Sequence, residues 1–436
     1  MDQQSNTVIR ASFLHFINDP AKVNNVEDAY QYISDGLLVI ENGKVKSLTA
    51  FSEKSADLYP HFEDKSGQLI MPGFIDTHIH YPQTEMIAAY GEQLLEWLET
   101  YTFPTEIQFS NKQYAQKISQ FFINELLKNG TTSALVFGTV HPESVDALFE
   151  QAEKIDMRLI AGKVMMDRNA PDELLDTAQS SYEQSKALIE KWHNKGRLQY
   201  AITPRFAPTS TPQQLALAGK LKSEYPDVYV QTHLSENKDE IEWVKSLFPE
   251  REGYLDVYDH YGLTGDKSVF AHSIHLTDKE WQTLADTDSV IAFCPTSNLF
   301  LGSGLFDLER ADKNTIRVGL GTDVGAGTSF SQLQSLSEAY KIMQLQGKKL
   351  SVFKGLYLAT LGSAQSLSLG HKVGNFEQGK EADFIVLDWA ATELQALRLE
   401  NSNNLQDKLF ALMILGDDRN IHSTYVAGKL VYSAAD

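Results

Sequence analysis

Cysteine is almost missing: Cys294 is the only one in 436 residues. An intrachain disulfide framework and an all-cysteine metal site are both excluded, so any metal must be held by histidine and carboxylate. Positive charge is also in deficit. Lys and Arg number 38 against 58 Asp and Glu, a formal net charge of -20. No Lys/Arg stripe is present that could follow a phosphate backbone or an anionic membrane surface, so neither nucleic acid nor a membrane is an expected partner. No uninterrupted apolar run approaches the ~20 residues of a membrane span. The opening M-D-Q-Q-S-N-T-V-I-R lacks the basic start and apolar centre of a secretory leader. Internal repeats and low-complexity tracts are missing too. The expectation is a soluble cytoplasmic protein.

What is present is ample core material, 42% of the residues being hydrophobic. After short strand-like runs at Val8–His15 and Gly36–Ile40, β-rich runs alternate with longer segments of helical period. Eight strands are expected: Ile70–His78, Thr132–Gly138, Arg158–Met165, Gln199–Phe206, Val228–His233, Ser268–His272, Val290–Pro295 and Arg317–Asp323. Helical periodicity falls between them at Tyr114–Leu127, Glu143–Lys154, Asp172–His193, Thr211–Glu224 and Asp278–Asp286. Eight strand-then-helix units predict an α/β fold of the TIM type, a (β/α)8 barrel. The tail returns to strand character, ending one strand at Asp388 and placing strand, Gly-Lys turn and strand over Ser423–Val431. The two strand-rich ends are expected to join as a small β-sandwich domain, residues 1–69 with 370–436, beside a barrel of residues 70–369.

In such a barrel the chemistry collects at the C-terminal ends of the strands. The first ends in His78 and His80, the fifth in H-L-S-E with His233 and Glu236, the sixth in His272, the eighth in G-L-G-T-D with Asp323. Residues two apart on a strand share a face, so His78 and His80 can converge on one ion. Alone, H-x-H is a weak signal, because strand histidines are often only hydrogen-bonded or exposed. Four matching strand ends are much harder to produce by chance. His78, His80, His233 and Asp323 form a donor set suited to zinc or iron, which lowers the pKa of bound water toward about 7. Glu236, three residues beyond His233, is placed to move protons. His275 reads as loop structure, and the remaining seven histidines as structural or surface. Leu94, Leu95, Trp97, Leu98 and Tyr101 have helical spacing, with core packing as the first reading and a pocket wall as the second.

These residues carry a resemblance. P-G-F-I-D-T-H-I-H, H-L-S-E, A-H at 271–272, G-L-G-T-D and G-K-E-A-D-F-I-V-L-D occur in an order similar to that of the amidohydrolase superfamily of metal-dependent hydrolases. The likeness spans nearly the whole chain. P-G-F-I-D-T-H-I-H-Y-P-Q, L-L-E-W-L-E-T-Y-T-F-P-T-E, L-K-N-G-T-T, T-P-R-F, H-L-S-E-N, V-G-N-F-E-Q-G-K-E and L-G-D-D-R-N-I resemble the deaminases of guanine within it. The resemblance implies one zinc per chain on His78, His80, His233 and Asp323, with Glu236 as proton shuttle and His272 beside the activated water. It also implies a homodimer. Relatives with two metals use a carboxylated lysine ending strand four. Here that region reads A-I-T-P-R-F and Lys163 lies on strand three, which favours one metal.

The implied reaction is hydrolysis of guanine to xanthine and ammonia. Water attacks C2, Asp323 and His272 orient it and take its proton, and Glu236 protonates N3 and then the departing amine. Arg205 and Gln83 are the candidates for reading the base, since a guanidinium fork matches the O6/N7 edge and a carboxamide can both donate and accept. A rim salt bridge for Arg205 and a loop hydrogen bond for Gln83 are the plainer readings. Phe206 is a candidate stacking surface, or core. Zinc deaminases acting on nucleic-acid bases combine H-x-E with P-C-x-x-C, a combination ruled out here because there is no P-C-x-x-C. Alternatives are a deaminase of cytosine, a triazine or an adenosine derivative, and a non-catalytic scaffold, which would be expected to have lost ligands.

Overall fold

The computed structural model describes residues 7–90 and 93–434. The first six residues, part of the stretch in which no leader is expected, lie outside the described residues. In chain order the strands are β1 (Thr7–Phe16), β2 (Tyr30–Glu41), β3 (Lys44–Ala50), β4 (Glu63–Pro72), β5 (Phe74–His80), β6 (Thr131–Phe137), β7 (Arg158–Gly162), β8 (Val164–Met165), β9 (Leu198–Pro204), β10 (Tyr229–Leu234), β11 (Ser268–His272), β12 (Val290–Phe293), β13 (Arg317–Leu320), β14 (Phe384–Leu387), β15 (Ile421–Val426) and β16 (Lys429–Ser433). The chain divides into two compact units. One comprises the residues up to Ile75, Asn124–Ser133 and those from Ser331 onward; the other is Asp76–Ile123 with Ala134–Phe330.

The first unit carries a mixed seven-stranded sheet in the order β16-β15-β14-β4-β1-β2-β3. Its strands come from both ends of the chain, as the sequence implied. Period-2 patterning buries Ile9, Ala11, Phe13, Leu38, Ile40, Phe384 and Val386 in one apolar cluster, while Val8, Leu37 and Val39 point to the other face.

The second sheet is parallel and runs β13-β12-β11-β10-β9-β7-β6-β5, with β8 extending the pairing on β9. Asp323 donates its N–H to the His78 carbonyl at 2.9 Å, and His80 donates to the Val324 carbonyl at 2.9 Å. These bonds bring the segment after β13 back to β5 and nearly close the barrel. The strands are buried along both faces, as expected where helices cover a parallel sheet. Among the described residues no helix is long and apolar enough to cross a membrane.

Three elements differ from the periodicity reading. The expected strand Ile70–His78 is broken at Gly73, so that Ile70–Pro72 belong to β4 and Phe74 opens β5. A Cβ at Gly73 would lie 2.1 Å from the Thr132 hydroxyl oxygen, so only glycine lets the chain pass there. The expected strand Arg158–Met165 is interrupted at Lys163, whose side chain turns to Asp176 and donates to the Val164 carbonyl at 3.2 Å. The helix expected over Asp172–His193 begins at Ala178, where Thr177 caps it through Ser180, after a separate 3-10 turn at Asp172–Leu174 that ends in an extended Leu175.

Candidate active site

On β5 the sequence D-T-H-I-H places Asp76, His78 and His80 on one face, and all three are buried. Asp76 accepts from the N–H of His78 at 3.1 Å, from the N–H of Thr322 at 3.1 Å and from the Thr322 hydroxyl at 2.5 Å. It thereby ties the first strand to the loop carrying Asp323. Burial pushes its carboxyl up to about 7.

Four donors then converge. His78 Nε2 lies 3.3 Å from His80 Nε2, which lies 3.2 Å from His233 Nε2. Asp323 Oδ1 is 3.2 Å from His78 Nε2 and 3.4 Å from His80 Nε2. Ligands arranged tetrahedrally at ~2.0–2.1 Å from a zinc ion stand roughly 3.3–3.4 Å apart, the same spacing. The tautomer of His233 agrees with this donor role. His233 Nδ1 donates to the Arg205 carbonyl at 2.7 Å, so its Nε2 presents a lone pair to the cluster. Unshielded lone pairs at this separation repel one another, and a cation among them removes the repulsion. These residues therefore fit a metal. His272 joins the same group, its donor atom lying within 4.8 Å of those of His78, His233 and Asp323.

Electrostatics follow the burial. Burial lowers His80 and His233 well below the ordinary histidine value, with neighbouring imidazoles adding to the effect, and it lowers His78 as well. Burial opposes ionisation of Asp323, but His78, His272 and His80 outweigh it and hold the carboxyl below its usual range. For His272, burial is outweighed by Glu236 and Asp323, which raise it. The Nδ1 of His272 is paired with Asn298 Oδ1 at 2.9 Å, while its Nε2 has no hydrogen-bond partner and stands 3.4 Å from Glu236 Oε2.

Glu236 follows Ser235, which adopts a left-handed conformation at φ 49°. Its backbone N–H is held by the Glu240 carboxylate at 2.9 Å, and Glu240 also accepts from the Tyr254 hydroxyl at 2.7 Å. The Ser303 hydroxyl donates to Glu236 Oε1 at 3.0 Å, and burial raises this carboxyl to about 7. His275, read from sequence as loop structure, bonds through Nε2 to the Ser303 carbonyl at 2.8 Å. His272 and Asp323 themselves have φ of 67° and 52°, a left-handed backbone that non-glycine residues adopt at a cost.

A cavity opens onto this cluster and is lined by all the remaining candidates, Gln83, Arg205 and Phe206. Leu94, Trp97 and Leu98 form part of its wall, whereas Leu95 and Tyr101 pack behind it. The helical turn Leu94–Trp97 widens over Leu98–Thr102 before Phe103–Glu106. Such a wide turn is common near functional sites. Asp76, Glu106, Asn298 and Ser303 are the participants the sequence reading did not single out. The only sequence signal for two of them is position, Asp76 within D-T-H-I-H and Glu106 at the end of L-L-E-W-L-E-T-Y-T-F-P-T-E.

The sequence pattern of the amidohydrolase family matches residues 69–431. The guanine deaminase of Escherichia coli strain K12 is 60% identical over 426 residues, which cover 97% of this chain and 97% of that protein. A probable guanine deaminase of Deinococcus radiodurans is 40% identical over 435 residues, 98% of each chain. Among solved structures, an E. coli guanine deaminase aligns at a TM-score of 0.95 with 57% identity, covering 99% of this chain and 100% of that one. The guanine deaminase of C. acetobutylicum, solved with guanine bound in its active site, aligns at 0.89 with 32% identity, covering 98% and 100%.

Proposed function

The chain belongs to the amidohydrolase family, and on that premise we propose that its reaction is the hydrolytic deamination of guanine to xanthine and ammonia. The observation that carries the reading is a conjunction. The donors His80, His233 and Asp323, Glu236 and the pair Gln83 and Arg205 line one cavity, in a chain 60% identical to E. coli guanine deaminase over 97% of both sequences.

A single zinc held by His78, His80, His233 and Asp323 would supply a Lewis acid that makes water nucleophilic near neutral pH. The chain's own residues do the rest. Asp323 and His272 orient the attacking water and accept its proton, a role supported by the unpartnered His272 Nε2 and its raised basicity. Glu236 gives a proton to N3 as the new C2–O bond forms. It then takes the proton of the new hydroxyl group and passes it to the amine, so the C2–N bond breaks as the C2=O bond forms, ammonia leaves, and the proton held by Asp323 and His272 returns to Glu236. A carboxyl near about 7 suits both halves of that task. Gln83 and Arg205 meet the O6 and N7 edge, and Phe206 supplies an apolar face for the ring.

The proposal includes a cytoplasmic homodimer, with neither nucleic acid nor a membrane as partner. Its decisive experiment is metal analysis combined with ammonia release from guanine, cytosine, a triazine and an adenosine derivative on one sample. Zinc near one per chain and a clear preference for guanine are expected; iron would revise the metal, and equal rates would overturn the specificity.

A further inference from the structure

Glu106 is a fully enclosed carboxylate, with no measurable exposure. It has no place in the reaction just described. Its two oxygens are divided between the two candidate base readers: Oε1 accepts from Gln83 Nε2 at 3.1 Å and Oε2 from Arg205 Nη1 at 2.7 Å. The far end of the Gln83 amide is fixed as well, because its Oε1 accepts the Gly325 N–H at 3.2 Å. Turning that amide over would set its NH2 against the Gly325 N–H and its oxygen against the Glu106 carboxylate. Both contacts would then be repulsive.

From this geometry we infer that Glu106 is the positioning residue for base recognition, locking Gln83 and Arg205 as donors toward a 6-oxo purine. The inference rests on the reading of the site as a guanine deaminase. Arg205 has no acceptor to offer, and the locked Gln83 keeps one N–H on its NH2 uncommitted. The pair therefore complements the acceptors O6 and N7 of guanine and leaves the amino group of a 6-amino purine facing donors. Because Arg205 is paired with Glu106 inside the protein, the recognition surface is electrically balanced before the base enters, which suits a neutral base.

The test compares guanine with 2-aminopurine, which carries the same C2 amine and lacks O6. Glu106→Gln offers only one acceptor, so Gln83 and Arg205 can no longer both be held. Guanine kcat/KM is expected to fall about 100-fold and that of 2-aminopurine, which keeps N7 and lacks only the O6 contact, by about tenfold or less, so that the preference shrinks about tenfold or more. Zinc content and the unfolding midpoint are measured alongside. Equal losses on both purines at unchanged zinc and midpoint would overturn the inference, as would an unchanged preference for guanine. Should Glu106→Gln fail to fold, Glu106→Asp decides. It keeps the counter-charge for Arg205 but is too short to reach both partners, and a preference reduced about tenfold is expected; an undiminished one overturns the inference. A wild-type protein that does not prefer guanine to 2-aminopurine would instead defeat the parent reading before any variant is compared.

Discussion

At the scale of single residues, Glu236 shows how surroundings change the acidity of an ordinary carboxyl. Only 2% exposed, it has lost most of the solvation that favours its charge, and burial raises it to about 7. Ser303 and the backbone anchor at Glu240 keep it from rotating away. Glu236→Gln preserves shape and removes the transferable proton. The variant is expected to retain zinc and bind guanine in equilibrium dialysis while kcat drops by about 10³-fold or more. Turnover within tenfold of wild type would take Glu236 out of the reaction. Ser303 and Asn298 show what sequence reasoning cannot reach at this scale. Ser303 lies in a loop and Asn298 in the short helix Pro295–Phe300, and their value comes from what they touch: Glu236 for one, His272 for the other.

Two elements carry predictions of their own. Gly73 separates β4 from β5, and an added Cβ would meet three atoms of the Thr132 side chain at 2.1, 2.4 and 2.8 Å. Because threonine is branched at Cβ, it cannot rotate out of the way at low cost. Gly73→Ala is expected to cost about 1–3 kcal/mol in denaturant unfolding. In the terminal sheet, His15 is 3% exposed on β1, bonded to Gln31 Oε1 at 2.8 Å and edge-on to Phe376. Burial lowers its pKa in the fold, so the unfolded chain, with a value near 6.5, binds the proton more readily. Its contribution to stability is full above about pH 6.5 and is lost as the pH falls below that. Relative to His15→Asn, wild type is expected to lose about 1.4 kcal/mol per pH unit at most in that range. Unfolding midpoints of both proteins at about pH 7.5 and about pH 5 check this, and a constant difference would refute it.

On the scale of the whole molecule, the site binds together residues that are remote in sequence. Asp323 meets His78 and His80 only because the segment after β13 returns to β5, through hydrogen bonds at His78 and Val324. A metal bound by the folded chain and not by the unfolded one stabilises the fold by roughly 4 kcal/mol at a thousandfold excess over its Kd. Chelation is therefore expected to lower Tm and zinc to restore it. In Asp323→Asn the chelator should have little effect, since one of the four donors has lost its charge. A wild-type Tm indifferent to chelator would argue against a structural contribution from the metal.

The sequence by itself determined the alternation of strands and helices, because burial on a parallel sheet and along a helix face writes its period into the residue order. It also put the candidate donors at or just beyond the strand ends, since that is where this alternation places polar residues, and the family resemblance implied their roles. Only the tertiary structure decided which side chains share a carboxylate or a carbonyl. The breaks at Gly73 and Lys163 depend on Thr132 and Asp176, which no local pattern reveals. The joining of Gln83 to Arg205 through Glu106 spans positions more than a hundred residues apart. Hydrogen bonds of that range are fixed by packing in three dimensions, and the linear order of residues carries no period from which to read them.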